Sequence, residues 1–532
     1  MKSWIAVALC AASCTMNGNS KTSSDAMDRV DRGLAAMGGA DKVAGIKAMT
    51  VKGTARHWEP EQSVKADGEM RLAGDSTFVQ TRDFANDAAR TEWDRNFVYP
   101  SPREFKFTEV VTKNAGYVSG IDSNGRTKQD LESNPPRHAM SGMRLAASQR
   151  ELARTSPRLL ADMKAHPDQL TADEMTMAGK SVPAVRYQAG DNAFLVAFDG
   201  TGLPSRVRTM DADNIYGDST YDLVLSDYRD AGGVKIPYTQ SYELNGKEVI
   251  HIQVQDVQTN GAAVAQGDFQ VPAELSAPPP ARGNLPYQWV IRRQFIGTYL
   301  DTDAVTADPA AGGLKFNELA PGIFQVAGSH NSLVVEMADQ VVVFDAPVGE
   351  VQSKFTLDQI KQKFPSKPVK TLVATHHHMD HAGGSRTFVA QGADVLVGQG
   401  NKAHFEKIFS APHKIDGDML EKNPRKPNVE EIADRKVIDD GKRKVEIVRI
   451  DNPHADGMLI AYIPDARLGW VADIWSPGRD KLGDKATPGQ VALVNGVSKF
   501  SSTPERFAGG HGSVADYAPL AQLAGGQPRA EK

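Results

Sequence analysis

Cysteine is almost missing from this chain of 532 residues: there are two, Cys10 and Cys14, and none follows. A disulfide framework, a zinc ribbon, an iron–sulfur cluster or a cysteine nucleophile therefore cannot be built after position 14. Any metal site in the rest of the chain must take its ligands from histidine, aspartate and glutamate. Thioredoxin-like redox chemistry and cysteine proteases are excluded on the same ground.

An excess of either charge is also missing, since 61 lysines and arginines face 66 aspartates and glutamates, for a formal net charge of -5. Nothing in this balance marks a polyanion-binding surface, so the sequence predicts no nucleic-acid partner. The 40% of hydrophobic and 24% of charged residues are globular values, and the length suggests about three domains or fewer. No run approaches the ~18–20 apolar residues that cross a bilayer as a helix.

The first 24 residues are typical of an export segment. Lys2 precedes a short apolar run over residues 4–12, which is the pattern of a secretory signal. The run Ala11-Ala12-Ser13-Cys14 also resembles a bacterial lipoprotein box, with alanine at the position where leucine is usual. We predict a signal peptide and tether over residues 1–24, and either an outer-membrane lipoprotein anchored through lipidated Cys14 or a protein released into the periplasm.

A proline-rich segment divides the remaining chain. Residues 276–283 include three consecutive prolines, which cannot continue a helix or a central strand. We therefore predict a linker over residues 276–313. It would join a β-rich accessory domain, residues 25–275, to a second domain over residues 314–532.

The first of these domains is predicted to be mainly antiparallel β structure, without clustered catalytic groups. An Asp199-Gly200 turn between two apolar runs predicts a hairpin, and one helical stretch is expected at about residues 143–166. The strand pattern and the phrase Gly233-Val234-Lys235-Ile236-Pro237 resemble the half-barrel sheets of bacterial envelope lipoprotein carriers. What this domain would bind stays open. Its histidines are scattered singly and predicted to be packed or solvated: His57, His138, His166 and His251.

Beyond the linker, strands alternate with helices. Leu357, Ile360 and Phe364 fall on one helical face, and residues 369–374 form a mainly apolar run that ends at Thr375. Such a run suits a strand buried on both faces by helices. Because ligands collect where the strands of layered α/β folds end, the residues after Thr375 are where chemistry is expected.

Those residues contain a dense cluster of metal-binding side chains. His376 and His378 would point to one side of an extended segment, since side chains alternate along it. Where the chain turns, Asp380 and His381 can face a second point nearby. Two neighbouring cation sites are the economical interpretation. Gly383 and Gly384 follow and allow tight packing.

This His-x-His-x-Asp-His run is the signature of the metallo-β-lactamase superfamily, which the chain resembles from about residue 314 onward. The resemblance implies an αββα sandwich, and an overall α+β fold with the β domain in front of it. It also implies that Asp345, which closes a strand, supports the site structurally. The implied metal ligands are His376, His378 and His454 for one ion, Asp380, His381 and His511 for the other, and Asp473 as a bridge.

Departures from the family pattern narrow the choice of subfamily. No cysteine lies near Asp473, which excludes the cysteine-ligated class of β-lactamases, and residues 471–478 resemble the cysteine-free subclass. His377, between two ligands, is predicted to pack away from the metals. His330 lies on an early loop that borders the cleft in relatives and is a candidate substrate contact. Asp456 is a candidate partner that orients the His454 imidazole.

The donor set and the resemblance together predict the chemistry. Nitrogen and oxygen ligands suit two zinc ions, with manganese or iron as alternatives, and such a pair supplies a metal-bound hydroxide at neutral pH. Asp380 would hold this nucleophile and accept its proton. We predict a hydrolase for a small-molecule amide or ester, with a β-lactam or lactone slightly favoured over a thioester or phosphodiester. The alternatives are an envelope lipid- or lipoprotein-binding protein with a metal-sensing domain, and an iron oxidoreductase resembling persulfide dioxygenases.

Overall fold

The computed structural model describes residues 23–122, 135–177, 179–261, 266–276, 286–293, 301, 313–328 and 330–525. The predicted signal peptide, the lipidation residue Cys14 and the proline run at 278–280 lie outside these ranges. No helix in the described ranges is long and apolar enough to cross a membrane. The boundaries that we predicted for the domains and the linker stay predictions.

A large antiparallel sheet dominates the amino-terminal half, as the sequence predicted. Its thirteen strands run in the spatial order β6-β5-β4-β3-β2-β1-β13-β12-β11-β10-β9-β8-β7. Each strand pairs with a neighbour in sequence, except that β1 pairs with β13 and that β6 and β7 form the two edges. The strands are β1 (Ala48–Glu59), β2 (Arg71–Asp83), β3 (Ala88–Phe97), β4 (Arg103–Val111), β5 (Gly116–Gly120), β6 (Arg137–Ala139), β7 (Leu170–Met177), β8 (Lys180–Ala189), β9 (Asn192–Phe198), β10 (Pro204–Asp213), β11 (Gly217–Ala231), β12 (Val234–Leu244) and β13 (Lys247–Thr259).

Helices lie against this sheet at its start and middle. The described helices of this half and of the predicted linker are α1 (Ser23–Met37), α2 (Ala40–Ala44), α3 (Gly142–Arg154), α4 (Leu159–Ala165) and α5 (Tyr287–Arg293). The single helix expected near residues 143–166 is two helices, because Pro157 cannot continue the first. Helix α5 packs on α3 with its side chains buried, so part of the segment predicted as a linker is embedded in the fold.

The carboxy-terminal half contains two mixed sheets. The first is ordered β14-β15-β16-β17-β18-β19-β20 and the second β21-β22-β23-β24-β25-β26. The strands of the first are β14 (Lys315–Ala320), β15 (Ile323–Ala327), β16 (Ser332–Glu336), β17 (Val341–Phe344), β18 (Val369–Val373), β19 (Asp394–Gly398) and β20 (Val429–Ile432). Those of the second are β21 (Arg435–Asp439), β22 (Lys444–Ile450), β23 (Met458–Ile463), β24 (Leu468–Val471), β25 (Arg506–Gly509) and β26 (Val514–Asp516).

These sheets stack face to face, with helices on their outer faces. Leu333 and Phe344 of the first sheet meet Ile447 and Trp470 of the second in one fully buried cluster, where the apolar faces leave water together. The predicted αββα sandwich behind an antiparallel β domain is thus confirmed. The helices are α6 (Glu350–Lys363), α7 (Met379–Ala382), α8 (Ser385–Ala390), α9 (Lys402–Ser410), α10 (Met419–Lys422), α11 (Pro488–Val497) and α12 (Ala518–Leu523).

Polar contacts join the two halves of the chain. Asp67, on the loop after β1, accepts a hydrogen bond from His404 Nδ1 at 3.0 Å and one from Lys407, both on α9. The main chain of Asp218 on β11 donates to the Pro412 carbonyl at 2.7 Å. The antiparallel sheet is therefore held against the sandwich at separate places along the chain.

The Asp67 contact provides a test of this interface. The hydrogen bond from His404, with help from Lys407 and against some desolvation, holds the pKa of Asp67 well below its ordinary value. A depressed carboxyl pKa stabilises the fold above the unfolded pKa of ~3.8, and the contribution is lost as the pH falls below that value. Asp67→Asn should lower the free energy of unfolding by about 0.5–1 kcal/mol at pH 7, since the pair is partly solvated.

Urea unfolding of the wild type and the variant between pH 7 and pH 3 would measure this difference. It should be constant down to about pH 4.5 and shrink below it. Asp31→Asn is the matched control, because Asp31 is half exposed and pairs with Lys164 inside the amino-terminal half. A difference for Asp67→Asn that grew on acidification would contradict the assignment.

Candidate metal centre

The site lies where the strands of the first sheet end. Strand β17 ends at Phe344, and Asp345 follows with a φ of 61°, which turns its carboxylate across to the end of β18. There it accepts hydrogen bonds from the Thr375 main chain at 2.8 Å and hydroxyl at 3.0 Å. The same carboxylate lies 3.2 Å from His381 Nδ1. Asp345 thus occupies the supporting position expected from the sequence.

Three imidazoles and one carboxylate form the first donor set. His376 Nε2 and His454 Nε2 lie 2.9 and 2.7 Å from Asp473 Oδ2, and His378 Nδ1 is 3.0 Å from His454 Nε2. His376 and His378 come from the turn after β18, His454 follows β22, and Asp473 follows β24. One ligand atom from each residue lies within 4.8 Å of the others, close enough to hold a cation.

A second set is built around the other oxygen of Asp473. Its Oδ1 lies 3.0 Å from His381 Nε2 and 2.5 Å from His511 Nε2. Asp380 Oδ2 completes the set, 3.9 Å from the first imidazole nitrogen and 3.8 Å from the second. Asp473 therefore turns one oxygen to each set, which is the geometry of a carboxylate that bridges two cations.

The residues of the first set fit a divalent cation. Burial, with a smaller contribution from neighbouring histidines, lowers the pKa of His376 and lowers that of His378 well below the ordinary value. Both are then neutral near pH 7, the form in which imidazole binds a metal ion. The buried Nε2 of His376 faces Asp473 Oδ2 at 2.9 Å. A buried nitrogen aimed in this way matches the nitrogen and oxygen donor set of zinc.

Electrostatics around the second set favour charged carboxylates. Burial would raise the pKa of Asp380, but the contact with His330 and the nearby His381 lower it well below the ordinary value. Burial likewise opposes ionisation of Asp473, and the surrounding imidazoles outweigh it. For His381, burial lowers the pKa, yet Asp473 and Asp345 raise it well above the ordinary value. The site thus concentrates ionised carboxylates where cations would be held.

The remaining predicted residues lie at different distances from this centre. His377 turns away from the ligand sets, with Nε2 2.9 Å from the Ser63 carbonyl. His330 Nε2 lies 3.5 Å from Asp380 Oδ2, at the edge of the second set, and burial lowers the pKa of His330 to about 4. Asp456 is exposed and contacts its neighbours through main-chain atoms, so its orienting role stays a prediction.

Sequence reasoning missed the residues that reach the centre from the amino-terminal half. Gln62 Nε2 donates to Asp380 Oδ1 at 2.8 Å, and the Tyr99 hydroxyl donates to Gln62 Oε1. The Arg71 guanidinium lies over the Tyr99 ring at 4.6 Å and donates to the His454 carbonyl at 2.8 Å. No motif marks these residues, because more than 300 positions separate Gln62 from Asp380.

A third group of ligand-type residues lies elsewhere in the amino-terminal half. Asp122, His138 and Asp301 converge there. The Arg144 guanidinium already lies between the two carboxylates, at 2.6 Å from Asp122 and 2.5 Å from Asp301. Because this guanidinium is already paired with both carboxylates, we assign no metal to this group.

Comparison with known proteins agrees with this geometry. The family model of the Metallo-beta-lactamase superfamily matches residues 326–506. A linear primary-alkylsulfatase from Pseudomonas sp is 37% identical over 84 residues, and an (R)-specific secondary-alkylsulfatase from Pseudomonas sp is 32% identical over 84. Each match covers 15% of this chain, and the chain spans only 12% of the length of these relatives.

Solved metallo-beta-lactamases are also similar to the chain. One from Pontibacter korlensis is 16% identical with a TM-score of 0.31, covering 40% of this chain and 97% of its own. One from Hirschia baltica is 18% identical with the same TM-score, covering 40% and 96%. Taken with the stacked sheets and the paired donor sets, the match over residues 326–506 shows that the carboxy-terminal domain of this chain belongs to the metallo-beta-lactamase superfamily.

Proposed function

We propose that this protein is a metal-dependent hydrolase that uses a zinc pair to cleave a sulfate ester of a small organic molecule. The observation that carries the proposal is the pair of donor sets that share Asp473. A bound pair of divalent cations would lower the pKa of a shared water and polarise the oxygens of the ester. The matched relatives are alkylsulfatases, which supports a sulfate ester ahead of the β-lactam or lactone that the sequence favoured.

The residues of the two donor sets would have separate roles in metal binding and catalysis. His376, His378 and His454 hold one cation, Asp380, His381 and His511 the other, and Asp473 keeps the two together. In this proposal Asp380, which is ionised and turns its Oδ2 to the second set, accepts the proton of the attacking water. The neutral His330, at the edge of that set, contributes an N–H or a lone pair to the substrate.

A positively charged side chain beside the metal centre would suit an anionic ester. Arg71 lies beside a metal ligand and is held in place by the Tyr99 ring. A charge-assisted contact to a sulfate oxygen is worth ~1.5–3 kcal/mol. Arg71→Met should therefore raise KM for a sulfate ester by about tenfold or more, with a smaller effect on a neutral lactone. Arg56→Met is the matched control, since Arg56 lies on β1 and pairs with exposed Asp75. Equal KM changes for both esters would contradict the assignment.

The proposed function is tested by metal analysis and a substrate panel. The zinc-loaded full chain should hold two ions and release sulfate from a primary alkyl sulfate faster than it hydrolyses a β-lactam, a lactone, a thioester or a phosphodiester. Turnover of one of those alone would move the substrate to that class. A single iron with persulfide oxidation would replace the hydrolase proposal altogether.

A second candidate function is favoured by a cavity in the amino-terminal half. A space of about 150 Å³ lies on the antiparallel sheet. Its lining combines apolar side chains such as Phe78, Trp93 and Ile250 with the carboxylates of Glu109 and Glu151. It supports the alternative of a lipid-binding protein with a metal-sensing domain. Two bound metals without turnover on any substrate of the panel would favour this candidate.

Export completes the proposal. The apolar run after Lys2 and the small residues before Cys14 support a periplasmic or outer-membrane location, with membrane attachment through a lipid on Cys14. Radiolabelled palmitate should then be incorporated by the wild-type chain and not by Cys14→Ser.

A further inference from the structure

A short segment of the amino-terminal half enters the metal cleft. It is the 3-10 turn Pro60–Gln62 that follows β1, together with Ser63. Gln62 and Ser63 are 3% and 1% exposed, although this segment follows a strand of the antiparallel sheet. Arg292 of α5 holds the segment in place, because it forms ion pairs of 2.6 Å with Glu59 and 2.8 Å with Glu61. The segment is thus tied to α5 by two buried ion pairs.

Within it, the Gln62 amide can take one orientation only. Nε2 donates to Asp380 Oδ1, and the opposite rotamer would face a carbonyl oxygen to a carboxylate oxygen. The Tyr99 hydroxyl donates to Oε1 and so holds the amide in the productive orientation. The other oxygen of Asp380 is left to face His381, His511 and His330. Gln62 thereby determines which carboxylate oxygen is offered to the second cation set.

The next residue does the same for the first set. The Ser63 carbonyl lies 2.9 Å from His378 Nε2 and, being only an acceptor, keeps the proton on that nitrogen. His378 Nδ1, which lies 3.0 Å from His454 Nε2, is then the free lone pair of the ring. Two consecutive residues of the amino-terminal half therefore set the orientation of one ligand in each set.

We propose that Gln62, held by Tyr99, is a positioning residue that orients Asp380, and that the amino-terminal sheet is in this way a structural part of the metal centre. The proposal deepens the proposed function and rests on it for the role of the second cation. Ligating carboxylates are commonly hydrogen-bonded in turn, and loss of such a partner costs ~10–100-fold in metal affinity or activity. Asp380 obtains this support from a residue 318 positions away, in the antiparallel domain.

Zinc binding to the full-length chain tests the proposal. Competition with a chromogenic chelator measures both zinc affinities for the wild type, Gln62→Leu, Tyr99→Phe and the double variant. In Gln62→Leu one of the two zinc ions, that of the second set, should bind at least ~10-fold less tightly, and the other should bind as in the wild type. Tyr99→Phe, which keeps the ring that supports Arg71, should show a smaller loss of the same kind. Adding Tyr99→Phe to Gln62→Leu should cost nothing further, because Tyr99 acts through Gln62.

Tyr238→Phe is the matched control, since the Tyr238 ring also carries a guanidinium, that of Arg229, at 4.6 Å, away from the metal ligands. Its two zinc affinities should equal those of the wild type. If Gln62→Leu has a lower melting temperature, Tyr99→Phe decides, because it removes a single oxygen. Wild-type affinity for both ions in Tyr99→Phe and Gln62→Leu would overturn the proposal.

Turnover separates this outcome from failure of the proposed function. Weakened zinc binding in the variants, with no sulfate release by the wild type, would retain the positioning role and remove the sulfatase assignment. Sulfate release by the wild type, with unchanged zinc binding in both variants, would retain the sulfatase assignment and remove the positioning role. If the wild type releases sulfate and the variants bind zinc more weakly, the kcat of Tyr99→Phe should be low at subsaturating zinc and should recover when zinc is added. Its KM should change little.

Discussion

The His378→Ala protein should lose one zinc and more than about 100-fold of its hydrolytic rate. This bound follows because outer partners of metal ligands already cost ~10–100-fold, and His378 is itself in the first donor set. Alanine removes Nδ1 from the set and takes away one of the two imidazole contacts of the Ser63 carbonyl, whereas His377 keeps the other. Zinc analysis by mass spectrometry, together with sulfate release from an alkyl sulfate, measures both losses.

The amino-terminal sheet should stay folded in this variant, because His378 lies in the sandwich, outside the thirteen strands of that sheet. Far-ultraviolet circular dichroism therefore should not change. His251→Ala is the matched control: His251 lies on β13 and is 40% exposed beside Glu248. Full zinc content and activity in His378→Ala would refute the ligand assignment.

Asp473→Asn is expected to have a comparable effect for a different reason. The carboxylate turns Oδ2 to one donor set and Oδ1 to the other, whereas an amide keeps a single acceptor oxygen and presents an NH₂ group instead. At most one set then retains its carboxylate-type ligand. We expect the loss of one zinc and a fall in kcat of about 100-fold or more.

Asparagine is the right replacement because Asp473 has a φ of 57°, and asparagine tolerates the left-handed region better than alanine does. The fold should therefore be kept. Asp484→Asn is the control, since Asp484 is an exposed loop residue of the same domain. If Asp473→Asn bound two zinc ions with wild-type affinity, Asp473 would not be the bridge, and the two sets would have to be joined by water alone.

Most of the carboxy-terminal site could be anticipated from local patterns. The mainly apolar run at residues 369–374 predicts a buried strand, and β18 (Val369–Val373) is that strand, although Lys370 is exposed and Thr371 half-buried. The cluster after it is dense enough to stand out because five metal-binding side chains follow within six positions. His454, Asp473 and His511 could be predicted as ligands only with the family resemblance, since the short motif around each is not diagnostic by itself. The structure brings all of them into two sets.

The amino-terminal half was predictable only as a class. Alternating strands predict an antiparallel sheet, and the Asp199-Gly200 hairpin between β9 and β10 forms as expected. The pairing of β1 with β13 joins residues about 200 positions apart and leaves no local trace. Helix α5 lies in the segment that its prolines predict as a linker, and its ion pairs with Glu59 and Glu61 join parts of the chain more than 230 positions apart.

Sequence alone determined the chemistry available to this protein: without cysteine after position 14, a metal site had to be built from imidazoles and carboxylates, and their spacing placed it after a buried strand. Only the tertiary structure decided which oxygen of Asp473 faces which set, and that Gln62 and Ser63 reach the ligands from the antiparallel sheet. The reason is physical: ligand type is a property of single residues and their near neighbours, whereas orientation depends on hydrogen bonds between segments that folding alone brings together.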